Sequence, residues 1–242
     1  MKLLRNVTGG VTLSSTPDDR VIETDNCHPE LVSGSHELSK KAAFTLAEVL
    51  ITLGIIGVVA AMTLPTLIEQ HEKKATAVKL EKFYTVMNQA VLRWRSEDGI
   101  EGDDYELPEE IVNNAEKTKA WYDEKLKPYI KDGTSGVSGK YFSSKFDDGS
   151  GFIAYVNYSN VMHFFYCTKF KYCAPESYDG RKTFLFTLVN GHFVTSMWVD
   201  IVDRTFLLNS CKNPSTGDYS KRHYCTRLIQ VDGWEIKSDY PW

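Results

Sequence analysis

Starting at Phe44 the chain reads FTLAEVLITLGIIGVVAAMTL, 21 residues carrying one charge, Glu48. A helix of that length rises roughly 32 Å, about the hydrocarbon thickness of a bilayer. No other stretch of the sequence comes near it. Ahead of it lies a 43-residue lead-in with Gly9-Gly10, Ser14-Ser15, Pro17, mixed charges and no apolar periodicity, a composition that reads as disordered. Beyond Pro65 the period changes. Leu80, Phe83, Met87, Val91 and Trp94 recur at intervals of three or four, which predicts an amphipathic helix continuing from the apolar run and stopping near Asp98-Gly99. Its apolar stripe reads as core. Lys73, Lys74, Lys79 and Lys82 near its start read as a solvated face, with attraction to anionic lipid as a lesser reading.

Residues 100–150 are irregular. The stretch 101–110 is acidic, 115–130 predicts a short helix on Trp121, Leu126 and Ile130, and 133–139 reads as a loop rich in Gly and Ser. Asp147-Asp148-Gly149 reads as a turn, because the further acidic ligands of a calcium loop are missing. From Gly151 the pattern becomes β, with strands expected over 152–158, 161–167, 183–190, 192–199 and 228–236. Asn190-Gly191 between two of them is the strongest hairpin signal in the chain. The expected fold is α+β, a long N-terminal helix packed on four or five antiparallel strands. The aromatic tail from Trp234 to Trp242 is expected to dock on the sheet.

Composition changes this picture in two places. With 28 Lys and Arg against 32 Asp and Glu, net −4, a broadly basic nucleic-acid binder is excluded and no nucleic-acid partner is expected. The five cysteines are an odd set, but Cys27 lies in the lead-in, and the other four, Cys167, Cys173, Cys211 and Cys225, read as two disulfides in a domain moved across a membrane. Of three pairings, 167 with 173 and 211 with 225 is favoured, since each closes a short loop. A zinc site with His163, His192 or His223 is disfavoured because neither cysteine pair has the short ligand spacing, and Cys27-His28 has no second pair nearby. The sequence has no GxSxG, HExxH, P-loop or glycine-rich dinucleotide turn, so neither catalysis, cofactor nor metal is expected.

Three readings compete for the apolar run. A signal peptide would use Lys40 and Lys41 as its positive flank and Val59-Ala60-Ala61 as its cleavage site, but Glu48 interrupts the start of its apolar region and the lead-in is long. A plain anchor accounts for the length and leaves Glu48 without a reason, since an ionisable group in hydrocarbon is costly and usually partnered. The third reading rests on residue order. Lys40-Lys41-Ala42-Ala43, then Phe44-Thr45-Leu46-Ala47-Glu48 and a continuous apolar run, resembles the N-terminus of type IV prepilins and type II secretion pseudopilins. That pattern is a basic leader ending in a small residue, then Phe, with Glu fifth in the mature chain. Counted from Phe44, Glu48 is fifth and Pro65 is twenty-second, where many such helices carry a proline. The family usually has Gly before the cut, where this chain has Ala43. Gly54 and Gly57, three apart, lie on one helix face where a neighbouring helix can approach.

The resemblance implies a division into a removed leader, 1–43; a membrane or filament-core helix, 44–68; its amphipathic continuation, 69–98; and a globular domain, 99–242. A start at Leu38 would leave a short leader of the usual kind. It implies cleavage between Ala43 and Phe44 by a prepilin peptidase, N-methylation of Phe44, and a Glu48 carboxylate that pairs with the new amine of a neighbouring subunit and sets register. The implied partners are further copies and other pilin-like subunits, an inner-membrane assembly platform with its ATPase, and the lipid bilayer before assembly. The implied place is the bacterial inner membrane, single-pass, with the C-terminal domain extracytoplasmic. A type II secretion pseudopilin is the favoured member, with a surface pilin or a membrane-anchored binding module as alternatives. The Cys211 to Cys225 segment resembles the disulfide-closed loop of type IV pilins. The lack of a calcium loop weakens the likeness to the major pseudopilin.

Overall fold

The computed structural model describes residues 44–102, 105–131, 133–157, 161–195, 202–215 and 217–242. By its contacts the chain divides after Leu50 into a first unit, described from Phe44, and a larger one, Ile51–Trp242.

Helix α1 (Leu46–Glu97) continues through Pro65, whose ring nitrogen gives no hydrogen bond to the turn before it. Its two stretches have different surroundings. None of the apolar window is buried, and Leu53, Ile55, Ile56, Val58 and Leu67 are all exposed. From residue 76 onward Thr76, Ala77, Leu80, Phe83, Met87, Ala90, Val91 and Trp94 are buried, one stripe at helical spacing. Trp94 closes it, its Nε1 donating to Asp98 at 2.9 Å, and Asp98 pairs with Lys125 at 2.8 Å. That ties the end of α1 to α2 (Ala115–Lys125), which starts on an Asn114 cap accepting from the Lys117 amide. The helix expected over 115–130 ends as α-helix at Lys125 and goes on as a 3-10 turn, Lys127–Tyr129. Pro128 lacks the N–H that the helix would need and restricts Lys127.

The sheet is a six-stranded antiparallel meander in the order β1-β2-β3-β4-β5-β6: β1 (Ser135–Ser138), β2 (Tyr141–Lys145), β3 (Gly151–Val156), β4 (Val161–Cys167), β5 (Thr183–Val189) and β6 (His192–Val194). Asn190 and Gly191 join β5 to β6, both with positive φ, the turn their sequence predicts. β1 corrects the loop expected over 133–139, and β2 falls in the remainder of the stretch 100–150 expected to be irregular. No residue of β1 is fully buried, so it carries no hydrophobic signature and is held by its pairing with β2, Ser135 opposite Ser144. Tyr158 and the positions from Ser196 to Val199, expected in strands, lie outside the described residues.

A second correction concerns 228–236. That stretch holds the end of α4 (Cys225–Val231) and a turn, and no strand. Cys225, Thr226, Leu228 and Ile229 are buried together at helical spacing. The helix stops in a Schellman motif, with Gly233 N–H donating to Gln230 O at 3.0 Å, Trp234 N–H to Ile229 O at 2.8 Å and Gly233 at φ +75°. Before it, α3 (Arg204–Lys212) is capped by Asp203, which accepts from the Phe206 amide.

The sheet is covered on both faces. On one, Phe83 of α1 stacks on Tyr166 at 4.4 Å and meets Phe186 and Phe193 edge-on at 5.0 and 5.7 Å. On the other, Tyr155, Phe165, Leu185 and Tyr178 form a second cluster. Burial of both faces is why β4 reads as a continuous apolar run instead of alternating. The tail docks through Tyr240, whose hydroxyl donates to Gly180 O at 2.5 Å. A β-carbon on Gly180, which has φ +75°, would lie 2.7 Å from the Cys225 sulfur, so only glycine fits.

Candidate functional site: the start of the long helix

Phe44 is 84% exposed, immediately before the first turn of α1. The turn is a capping box. Thr45 is the cap, and its Oγ1 accepts from the Glu48 amide at 3.2 Å; in return Glu48 Oε2 accepts from the Thr45 amide at 2.8 Å and its hydroxyl at 3.0 Å. The Thr-x-x-Glu spacing is visible in the sequence and identifies Thr45 as a working part of the site, which the reading of Glu48 alone misses. The box satisfies two backbone N–H groups at the helix start and three hydrogen bonds converge on one side chain pair. A carboxylate held this way is fixed at the turn that follows Phe44 while one of its oxygens takes no part in the box.

Lys40, Lys41 and Ala43 lie outside the described residues, as does Cys27. Further along, Thr63 and Thr66 return their hydroxyls to backbone oxygens of the preceding turn, at 3.0 and 2.8 Å, so these polar groups in the apolar run are satisfied within the helix. Gly54 and Gly57 have nothing within 4 Å of where a β-carbon would stand.

The four cysteines form two bonded pairs, Cys167 with Cys173 after β4 and Cys211 with Cys225 between α3 and α4, with Cα separations of 5.4 and 4.9 Å. They are therefore not metal ligands, and among the described residues no group of three or more His, Cys, Asp or Glu is placed to hold a metal. His192 lies 3.1 Å from Arg95, His223 bonds the Tyr178 hydroxyl at 2.9 Å, and His163 stacks on Tyr155 with ring centres 5.3 Å apart. Burial, with the nearby His223 adding to it, pushes the His163 pKa down to about 4. Asp148 turns its carboxylate onto its own loop, accepting from Ser150 N at 3.0 Å and Oγ at 2.5 Å. Burial acts to raise its pKa, and the Ser150 hydrogen bonds outweigh that and lower it.

Two known sequence families match the chain. Residues 38–64 match the prokaryotic N-terminal methylation motif, the signature of type IV pilins and pseudopilins. Residues 66–242 match a family of unknown function, DUF6613. No curated protein and no solved structure matches the chain. The motif is that of pilin-like proteins processed by prepilin peptidase and assembled into filaments, and with the single long apolar helix found among the described residues it fits a single-pass membrane anchor. Since the second match spans most of its length, the chain belongs to that family of unknown function, DUF6613, here carrying the N-terminal methylation motif of pilin-like proteins.

Proposed function

We propose that this protein is a structural subunit of an envelope filament, cut between Ala43 and Phe44, N-methylated on Phe44, and most closely a type II secretion pseudopilin. The observation that carries the reading is the coincidence of the methylation motif with a helix whose first turn holds Glu48 in a capping box and whose next turns bury nothing. Cleavage leaves a new ammonium on Phe44, and a neighbouring subunit's ammonium supplies the counter-charge that an intramembrane carboxylate needs. Lys40 and Lys41 keep the leader on the cytoplasmic side, so the domain folds outside the inner membrane, where the two disulfides form. Pro65 gives the helix a point of bending between membrane and domain. Extraction into the filament is driven by a separate ATPase through an inner-membrane platform.

A surface pilin is the second reading, favoured by the Cys211–Cys225 bond near the C-terminal end of the domain. Loss of a secreted substrate on deletion supports the pseudopilin, and loss of surface filaments with secretion intact supports the pilin. The shared core of both readings is tested by Glu48→Ala. Membrane insertion is expected to be unchanged and filament incorporation abolished; normal incorporation rejects the assembly role and leaves an anchored binding module.

A further inference from the structure

The whole chain carries net negative charge, yet its cations gather where α1 leaves the apolar run. A concave pocket of about 540 Å³ lies there, lined by His71, Lys79, Lys169, Arg181 and Lys182, with Trp242 at its side. The cations come from two distant parts of the chain. Lys73, Lys74 and Lys79 are on α1, and Lys169, Lys171, Arg181 and Lys182 are on the connection between β4 and β5. Lys79 Nζ fixes the two together by donating to Thr168 O at 2.9 Å. The Cys167–Cys173 bond closes the loop that carries Lys169, Lys171 and Tyr172. Lys182 stands over the Tyr172 ring at 5.0 Å, and Arg181 and Lys73 over the Trp242 ring at 5.4 and 5.9 Å. Glu72 also lines the pocket and Glu69, bonded to Lys73 at 2.6 Å, lies one turn before it, and these two acids are too few to neutralise the set.

The height of the pocket along α1 selects its ligand. The membrane or filament-core segment of α1, 44–68, ends at the exposed Ile68, and His71 and Lys79 follow it by about 4.5 and 16 Å at 1.5 Å per residue. That interval covers the headgroup layer, about 5 to 8 Å deep on each side of the hydrocarbon, and the water within about one Debye length of it. Tyr and Trp beside cations at that level are the side chains that favour a membrane interface. We propose that this pocket is a docking surface for the anionic phospholipid headgroups of the leaflet that the globular domain faces. Headgroup phosphates would take the ammonium and guanidinium donors while Tyr172 and Trp242 lie at the interface, holding the domain against the bilayer until the subunit is drawn into a filament. The inference rests on the apolar part of α1 lying in the membrane.

The test uses the full chain in nanodiscs of phosphatidylcholine alone or with about one-third phosphatidylglycerol, read by amide hydrogen exchange over 168–182. Exchange is expected to slow about threefold or more in the anionic discs, a shift that salt at about 0.5 M removes by screening. Lys169→Glu/Arg181→Glu/Lys182→Glu, all at exposed positions, should abolish the slowing without changing the melting temperature, and Lys169→Arg/Lys182→Arg should keep it. Equal exchange in both lipids overturns the proposal. So does the same slowing from millimolar inorganic phosphate in phosphatidylcholine discs, which identifies a free-phosphate site, or slowing that follows the number of copies per disc, which identifies a second subunit. Open exchange over 51–68 in both discs shows instead that the membrane placement of α1 fails, and the proposal with it.

Discussion

His163 lies in β4 on the sheet face that carries Tyr155 and Phe165, stacked between their rings, and burial with the nearby His223 outweighs the counter-charge of Glu176. Its pKa of about 4 means the folded state holds it neutral through a range where the unfolded chain, at about 6.5, binds a proton. The unfolded state therefore binds more protons between those values, and stability rises with pH across them. The contribution is complete above pH 6.5 and is lost as pH falls toward 4, by about 3 kcal/mol at most. His223, also lowered, first by burial and then by Lys221, adds in the same direction. Carboxylates such as Asp232, which Arg204 and Lys237 hold low against burial, act only at more acid pH. Melting temperature should accordingly fall between pH 6.5 and 4 in the wild type and fall much less in His163→Phe; an identical slope in both removes His163 as the cause. Nothing in the sequence marks this residue as buried except the unbroken apolar run around it. The capping box, by contrast, is legible from Thr45 and Glu48 alone, because it depends on a three-residue spacing and on no tertiary contact.

At the scale of elements, local pattern and tertiary packing divide the fold between them. The buried stripe of α1 and the β5–β6 hairpin follow from periodicity and from Asn190-Gly191, so sequence reasoning reaches them. β1 and α4 do not follow. β1 is an edge strand of Ser, Gly and Val held by backbone pairing, and α4 is a seven-residue helix whose Leu, Ile and Val resemble a strand until Gly233 is read as its C-terminal cap. Such a short helix is marginal alone and needs its cross-link to α3. The Cys211–Cys225 bond spans 14 residues and the Cys167–Cys173 bond 6. Chain entropy makes the first worth about 3 kcal/mol and the second about 2.4 kcal/mol. Cys211→Ser/Cys225→Ser should thus lower the denaturant midpoint more than Cys167→Ser/Cys173→Ser. The reverse order would mean that α3 and α4 stay packed through Leu207, Leu228 and Ile229 without their bond.

For the whole molecule, the two stretches of α1 set the problem. The domain beyond residue 75 buries most of its large apolar side chains in its own core, Val78, Leu92, Val202 and Phe206 being exposed, while the segment 44–68 buries none of its side chains and requires lipid or neighbouring helices around it. Removing residues 1–43 would leave 23 basic and 26 acidic residues, so the mature chain stays mildly acidic, and its cations matter by position rather than by number. That concentration was half visible: Lys73, Lys74 and Lys79 can be read from α1, but Lys169, Arg181 and Lys182 join them only because β4 and β5 return the chain to the same end of the sheet. The central claim is processing, since every assembly role of Phe44 and Glu48 depends on the cut that precedes them. Mass spectrometry of the N-terminal peptide from bacterial membranes containing a prepilin peptidase tests it most directly. The account predicts a chain beginning at N-methylated Phe44; a chain beginning at Met62, or one retaining Met1, contradicts it.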